Sequence, residues 1–289
     1  MNVYQEVTDK IIEQIEAGTP PWRKPWTGSA SSSIPLRHNG EQYHGINVLM
    51  LWMQAQKNGF ISERWMTFRQ AKELGGHVRK GEKSSIVVKY GTFTKEFEGE
   101  EKKIPYARAY RVFNVDQIDG LPDEYHAMPD EPRDLGTKKD SQLDSFFDST
   151  GAKITTSRKP QAYYSPLEDL IHMPPIETFH SAAGYYGTLA HESVHWTGHK
   201  SRLDRLKKFG NRSDYAFEEL VAEIGNCMLC TELGVTPDFE QSASYVEGWL
   251  KALKSDTKFI FRASSAAQKA VDYLKERQDV ASCANPEAA

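Results

Sequence analysis

The stretch TLAHESVHWTGH, residues 188–199, places three histidines and one acid within nine positions. His191 and His195 stand four apart, so on a helix both imidazoles leave the same face. Glu192 lies between them and can approach the open side of an ion held by the pair. The spacing therefore predicts a helix-borne site for one divalent metal ion.

His-Glu-x-x-His is the pattern of zinc peptidases, whose metal takes three protein ligands and leaves one position for water. Two sources for the third ligand are open. His199 is four residues after His195, but Gly198 is expected to end the helix and turn His199 away. The metzincin spacing is half met, because Gly198 fits it while Ser201 stands where a histidine is needed. The second source is FEELVAEIG, residues 217–225, where Glu219 and Glu223 lie four apart on a later helix. Glu219 is taken as the ligand and Glu223 as the acid that braces a ligating histidine. Glu218, about 100° round the helix, is expected to point elsewhere. Zinc suits two imidazoles and a carboxylate, and Mn²⁺ or another divalent ion is an alternative. With zinc bound, Glu192 would accept the proton of the activated water. Tyr163, Tyr164 and His172 fall on a strand pair just before the metal helix. Cys227 and Cys230 lie on the apolar face of the glutamate helix and read as packing residues.

The chain around this motif has 289 residues, with 39% hydrophobic and 26% charged residues, a soluble globular composition. No apolar run reaches the roughly 18–20 residues that a bilayer span requires. The amphipathic, acid-bearing start MNVYQEVTDKIIEQIEAG is unlike a signal peptide. Three cysteines are too few and odd in number for a disulfide framework, which points to the cytoplasm. Charge is uneven. Residues 1–115 hold 17 Lys/Arg against 12 Asp/Glu, whereas residues 116–150 hold 3 against 10. A basic first part, an acidic middle and a near-neutral last part predict two domains and a join: 1–125, a linker at 126–140, and 141–289.

Periodicity gives an α+β first domain. It predicts helices over residues 3–17 and from 46 to Gly59, a short helix in TFRQAKELGG, and strands in SSIVVKYGTFTKE and IPYARAYRVF. The second domain reads as mostly helical: a helix at SQLDSFF, the strand pair QAYYSP and DLIHMPP, a long helix through ETFHSAAGYYGTLAHESVHWTGH, and three more. The first domain has no catalytic cluster and no acidic cluster suited to two-metal nucleotide transfer. It is instead rich in aromatics beside cations, the combination that single-stranded nucleic acid needs. Trp22, Arg23, Lys24 and Trp26 sit among prolines that would hold their side chains out. Arg37, Tyr43, Arg79, Lys80 and Lys83 extend the candidate DNA-binding set.

The stretches YQEVTDKIIEQIEAGTPPWRKPW, YHGINVLML, GEKSSIVVKY, AYRVFNVDQIDGLP, HESVHWTGHKSRLDR, YAFEELVAEIG and GWLKALKSD resemble the ArdC-type antirestriction proteins of conjugative plasmids. They also resemble the related N-terminal part of TraC-type primases. The resemblance covers nearly the whole chain. It implies an N-terminal single-stranded-DNA-binding domain and a C-terminal zincin-like metallopeptidase domain, with His191 and His195 on the metal and Glu192 catalytic. It further implies a bacterial protein that protects incoming plasmid DNA from host restriction and can travel with that DNA into the recipient. Two functions stay open: a DNA-binding factor whose metal domain is structural, or a DNA-dependent protease acting on proteins bound to DNA, a restriction enzyme among them.

Overall fold

The computed structural model describes residues 2–22, 33–97, 100–126, 133–206, 212–236 and 243–284. The chain divides into two compact units, residues 1–130 and 131–289.

In the first unit, α1 (Val3–Glu16) is amphipathic: it buries Val7, Thr8, Ile11 and Ile15, and the Asn2 side chain caps its start. After β1 (Leu36–Arg37), α2 (Ile46–Asn58) is apolar on all sides and buries eight of its thirteen residues. Gly59 ends it in the left-handed region at φ 68°, where a side chain would be strained. Then come β2 (Arg64–Met66), α3 (Phe68–Glu73), β3 (His77–Val78), β4 (Ser85–Phe97), β5 (Glu100–Asn114) and β6 (Ile118–Asp119). The main sheet runs β1-β2-β5-β4, with β1 and β2 parallel and the other neighbours antiparallel; β3 and β6 pair separately. Asn47 fixes α2 to the sheet, accepting from the Val88 N–H at 2.7 Å and donating to the Val88 carbonyl at 2.9 Å.

The second unit starts with α4 (Ser141–Ser149) and a small sheet of β7 (Lys153–Thr156), β8 (Tyr163–Ser165) and β9 (Leu170–Met173). Strand order is β7-β9-β8, so β8 is an edge, antiparallel to β9. Helices α5 (Ala182–Thr197), α6 (Arg212–Glu232), α7 (Ala243–Ser255) and α8 (Phe259–Ala284) complete the unit. The core lies among α5, α6 and α8, where Val194, Leu220, Val221, Ile224, Ala267 and Val271 are all fully buried. Cys227 and Cys230 are buried in that core, and neither forms a disulfide.

This is the α+β, two-domain layout that the sequence predicts, with several differences. The metal helix begins at Ala182 rather than near Glu177, because the Ser181 hydroxyl accepts from the Gly184 N–H at 3.0 Å and caps it there. Within the acidic segment 126–140, Gly136 accepts from the Ala182 N–H and the Asp140 N–H donates to the Tyr186 hydroxyl. Those hydrogen bonds tie residues 136–140 into the second unit, while 127–132 lie outside the described residues.

Two expected DNA contacts are corrected. Trp22 is fully buried, so packing, not stacking on a base, occupies its ring. Tyr43 is 7% exposed and lies under the Arg37 guanidinium, 5.3 Å from its ring centre. Arg79 is spent largely within the fold, donating to Asp119, Glu82 and the Asp116 carbonyl. Arg37, Lys80 and Lys83 are exposed; Arg23, Lys24 and Trp26 lie outside the described residues.

Candidate metal centre

Helix α5 is buried on almost every side, and its residues 191 and 195 face α6. The two imidazoles meet edge to face, with their Nε2 atoms 3.2 Å apart. Glu219 completes a triangle, one carboxylate oxygen 3.8 Å from His191 Nε2 and the other 3.6 Å from His195 Nε2. Ligand atoms from the three residues lie within 4.8 Å of one another. Bonds of about 2.0–2.2 Å in a tetrahedral shell place neighbouring ligand atoms roughly 3.3–3.6 Å apart. The observed separations suit a zinc-sized ion, and the donor set of two nitrogens and one carboxylate suits it chemically.

Gly225 makes room for the close approach of α5 and α6. A Cβ on Gly225 would come within 3.0 Å of both methyl carbons of Val194, which is fully buried beside His195. Glycine there lets the helices close to the distance at which Glu219 meets both histidines.

Glu218 does not point elsewhere. Its carboxylate lies 3.3 Å from His195 Nδ1. Adjacent glutamates about 100° apart on a helix straddle one imidazole, Glu218 at Nδ1 and Glu219 at Nε2. A carboxylate only accepts, so Nδ1 carries a proton, and an ion that displaces the Nε2 proton would meet the Nε2 lone pair facing the site. Arg205 secures this arrangement, with 2.9 and 3.2 Å bonds to Glu218 and others to Thr197 Oγ1 and the Val194 carbonyl. Burial opposes the Glu218 charge, yet His195 and Arg205 together hold its carboxyl below the ordinary range. Burial likewise opposes a charged His195, but Glu218 first, then Glu192 and Glu219, raise it to about 9. His191, buried beside His195, is pushed down to about 3. Glu223 is buried and lines the same cavity.

Glu192 is 9% exposed, and burial pushes its carboxyl above the ordinary range. Its Oε2 accepts from the backbone N–H of Tyr164, on β8, at 2.8 Å. A second cluster anchors that strand. The Tyr164 hydroxyl donates to Asp169 at 2.8 Å, and Arg202 binds both Asp169 and the Tyr164 hydroxyl while covering Trp196 at 3.9 Å. Trp196 lies on α5, so the edge strand and the metal helix are joined through Arg202. His199 is held away from the triangle, bonded to Ser201 at 2.8 Å. His172 is also excluded: it is buried under the Tyr163 ring between Ser157 and the Gln161 carbonyl.

The triangle opens into a cavity of about 860 Å³ lined by Tyr163, Tyr164, Glu192, Tyr215 and Tyr245, among others. The hydroxyls of Tyr215 and Tyr245, which both line it, lie 3.1 Å apart. Sequence reasoning missed Glu218, Arg205, Arg202 and the tyrosine pair. Only Tyr215 carries a sequence signal, standing one turn before Glu219 on the same helix face.

Residues 1–113 match the N-terminal domain of the anti-restriction factor ArdC, and residues 141–266 match the zincin-like metallopeptidase family. The chain is 63% identical to the antirestriction protein ArdC of plasmid R388 in its metal-free crystal structure, with a TM-score of 0.89 over 97% of this chain and 99% of that one. The Mn(II)-bound structure of that protein gives 62% identity and a TM-score of 0.86, over 96% and 98% of the two chains. An uncharacterised protein of Sinorhizobium fredii, y4eC, is 35% identical over 96% of this chain and 92% of its own length. The DNA primase TraC of Escherichia coli is 38% identical over 94% of this chain, which spans only 27% of that primase.

Proposed function

Because the chain belongs to the ArdC family of antirestriction proteins, we propose that it protects incoming plasmid DNA from host restriction by binding single-stranded DNA through residues 1–125. In this proposal residues 141–289 carry a divalent-metal centre with a metalloprotease-like residue set, acting in the bacterial cytoplasm. No described helix is long and apolar enough to cross a membrane. The observation that carries the reading is the convergence of His191, His195 and Glu219, with Glu192 poised beside them.

His191, His195 and Glu219 would hold the ion. Zinc is proposed, and the R388 relative holds Mn(II) in a crystal structure. When bound, the ion supplies Lewis-acid activation of a water and a carbonyl. Glu192 would take the proton from the attacking water and return it to the leaving amine, a role suited by a carboxyl that burial raises above the ordinary range. Glu218 and Arg205 keep His195 in its ligating orientation. The edge strand β8 would flank an extended peptide, in the cavity lined by Tyr163, Tyr215 and Tyr245.

A second reading, that the centre cleaves proteins bound to DNA, draws support from the buried, oriented Glu192, which a purely structural metal site would not require. Glu192→Gln separates the two. Protection that survives the substitution in a conjugation assay supports the structural role. Protection lost with DNA affinity intact supports proteolysis. Loss of DNA binding by the unaltered protein under every condition would sink the antirestriction mechanism proposed here.

A further inference from the structure

Strands β4 and β5 form an antiparallel ladder from Ser85↔Val112 to Phe97↔Glu100. Residues directly opposite each other share a face. One face therefore carries, in succession, Val87↔Tyr110, Lys89↔Arg108 and Gly91↔Tyr106. Val87 is buried, but Tyr110 is 38% and Tyr106 37% exposed, and Lys89 and Arg108 are exposed between them.

Two features of this stripe are costly unless it has a ligand. Lys89 and Arg108 are like charges directly across a ladder, which destabilises the pairing. Neither forms an ion pair among the described residues, and segments 85–92 and 105–112 contain no Asp or Glu. The Tyr106 ring lies over Gly91: a Cβ there would come within 2.5 Å of its Cζ and of its hydroxyl oxygen. Glycine in a strand interior gives up packing and entropy. Here it makes room beside the strand for a ring that stays part exposed.

We propose that this face of β4 and β5 is the single-stranded-DNA surface of the protein, with a phosphate bridging Lys89 and Arg108 and bases stacked on Tyr106 and Tyr110. The proposal rests on the single-strand reading above and gives it a location that Trp22 and Tyr43, both buried, do not supply. Tyr106 and Tyr110 are four residues apart on one strand, about 13 Å, with Arg108 midway. Cations between aromatic platforms are what an unpaired strand recognises, because its phosphates and its base faces are both available. A duplex keeps its base faces stacked and offers only the phosphates.

The test uses the full-length protein and a fluorescein-labelled oligo(dT) of about twenty nucleotides, with anisotropy read across a salt series. Lys89→Ala with Arg108→Ala should weaken binding at least tenfold and lower the salt slope by about 0.7–1.4, at about 0.7 per phosphate contact on a single strand. Tyr106→Leu with Tyr110→Leu should weaken binding about tenfold or more with the salt slope unchanged, and the two Phe variants should bind as the parent. Gly91→Ala should lose affinity although it changes neither charge nor ring, because the new methyl displaces Tyr106. Lys80→Ala with Lys83→Ala is the comparison, expected to change affinity less than threefold. Thermal unfolding and unchanged metal content check that each variant folds. If the ladder variants bind like the parent while Lys80→Ala with Lys83→Ala does not, the surface is misplaced and the single-strand reading stands. If the parent binds no single strand even at low salt, both fail. Equal competition by duplex or by a base-free polyanion would overturn the stacking.

Discussion

Glu218 stands 3.3 Å from His195 Nδ1, on the opposite edge of the ring from Glu219. Glu218→Gln keeps the shape but allows the amide to present a donor to Nδ1, which permits the wrong tautomer. Outer-shell changes of this kind cost about 10–100-fold in metal affinity. Competition against a chromophoric chelator should show a loss in that range, with the fold retained by circular dichroism. Affinity equal to the parent would mean that Arg205 and the helix packing alone orient the ring.

Metal content separates the ligands from their neighbours. The His191→Ala, His195→Ala double variant should bind no stoichiometric zinc. Glu219→Ala should weaken binding strongly, because only two nitrogen donors remain. Glu223→Ala should retain stoichiometric metal. Elemental analysis after gel filtration reads all three, and metal kept by Glu219→Ala but lost by Glu223→Ala would reverse the assignment.

Gly225→Ala tests the approach of the two helices. Alanine favours a helix over glycine by about 1 kcal/mol. Against that, its methyl meets a fully buried, β-branched Val194 at 3.0 Å, and overpacking of this kind costs about 1–3 kcal/mol. The expected result is net destabilisation in urea unfolding together with weaker zinc binding, since Glu219 moves with α6. A stabilised protein with normal zinc affinity would show that the contact relaxes freely.

Asp140 caps α4, accepting from the Gln142 and Leu143 N–H groups at 3.0 Å each, and pairs with Arg133. The Leu143 bond first, then Arg133 and Gln142, hold its carboxyl below the ordinary range. A carboxyl depressed by folding stabilises above its unfolded value, about 3.9, and that stabilisation disappears as pH falls through the folded value. Asp140→Ala should therefore cost about 1 kcal/mol at neutral pH and progressively less on acidification. Unfolding midpoints of the two proteins measured from pH 7 downward should converge; a constant gap would assign the loss to packing.

The helices and the histidine pair are legible in the sequence because each depends on a local repeat. His191 and His195 need only the helical spacing, and α2 announces itself through an unbroken apolar run closed by Gly59. Glu219 is reachable by the same logic applied to a second helix. Glu218 is not, because its role depends on which edge of a ring on another helix faces it, and spacing along one helix carries no such information. Arg205 and Arg202 arrive from the irregular segment after α5, where no period exists to read. Composition correctly marks the first unit as aromatic and basic, but it cannot distinguish Trp22, which fills the core, from Tyr106 and Tyr110, which lie outside it. That distinction needs the register of β4 against β5.

Edge strands invite unwanted pairing, since each outward N–H is a template for another chain. Proteins commonly guard such edges with prolines, bulges or outward lysines. At β8 the outward N–H of Tyr164 is instead answered by Glu192, from a neighbouring helix. The carboxylate that the proposed hydrolysis would use thereby also occupies a position at which another chain could extend the sheet, so a single substitution at Glu192 would touch both.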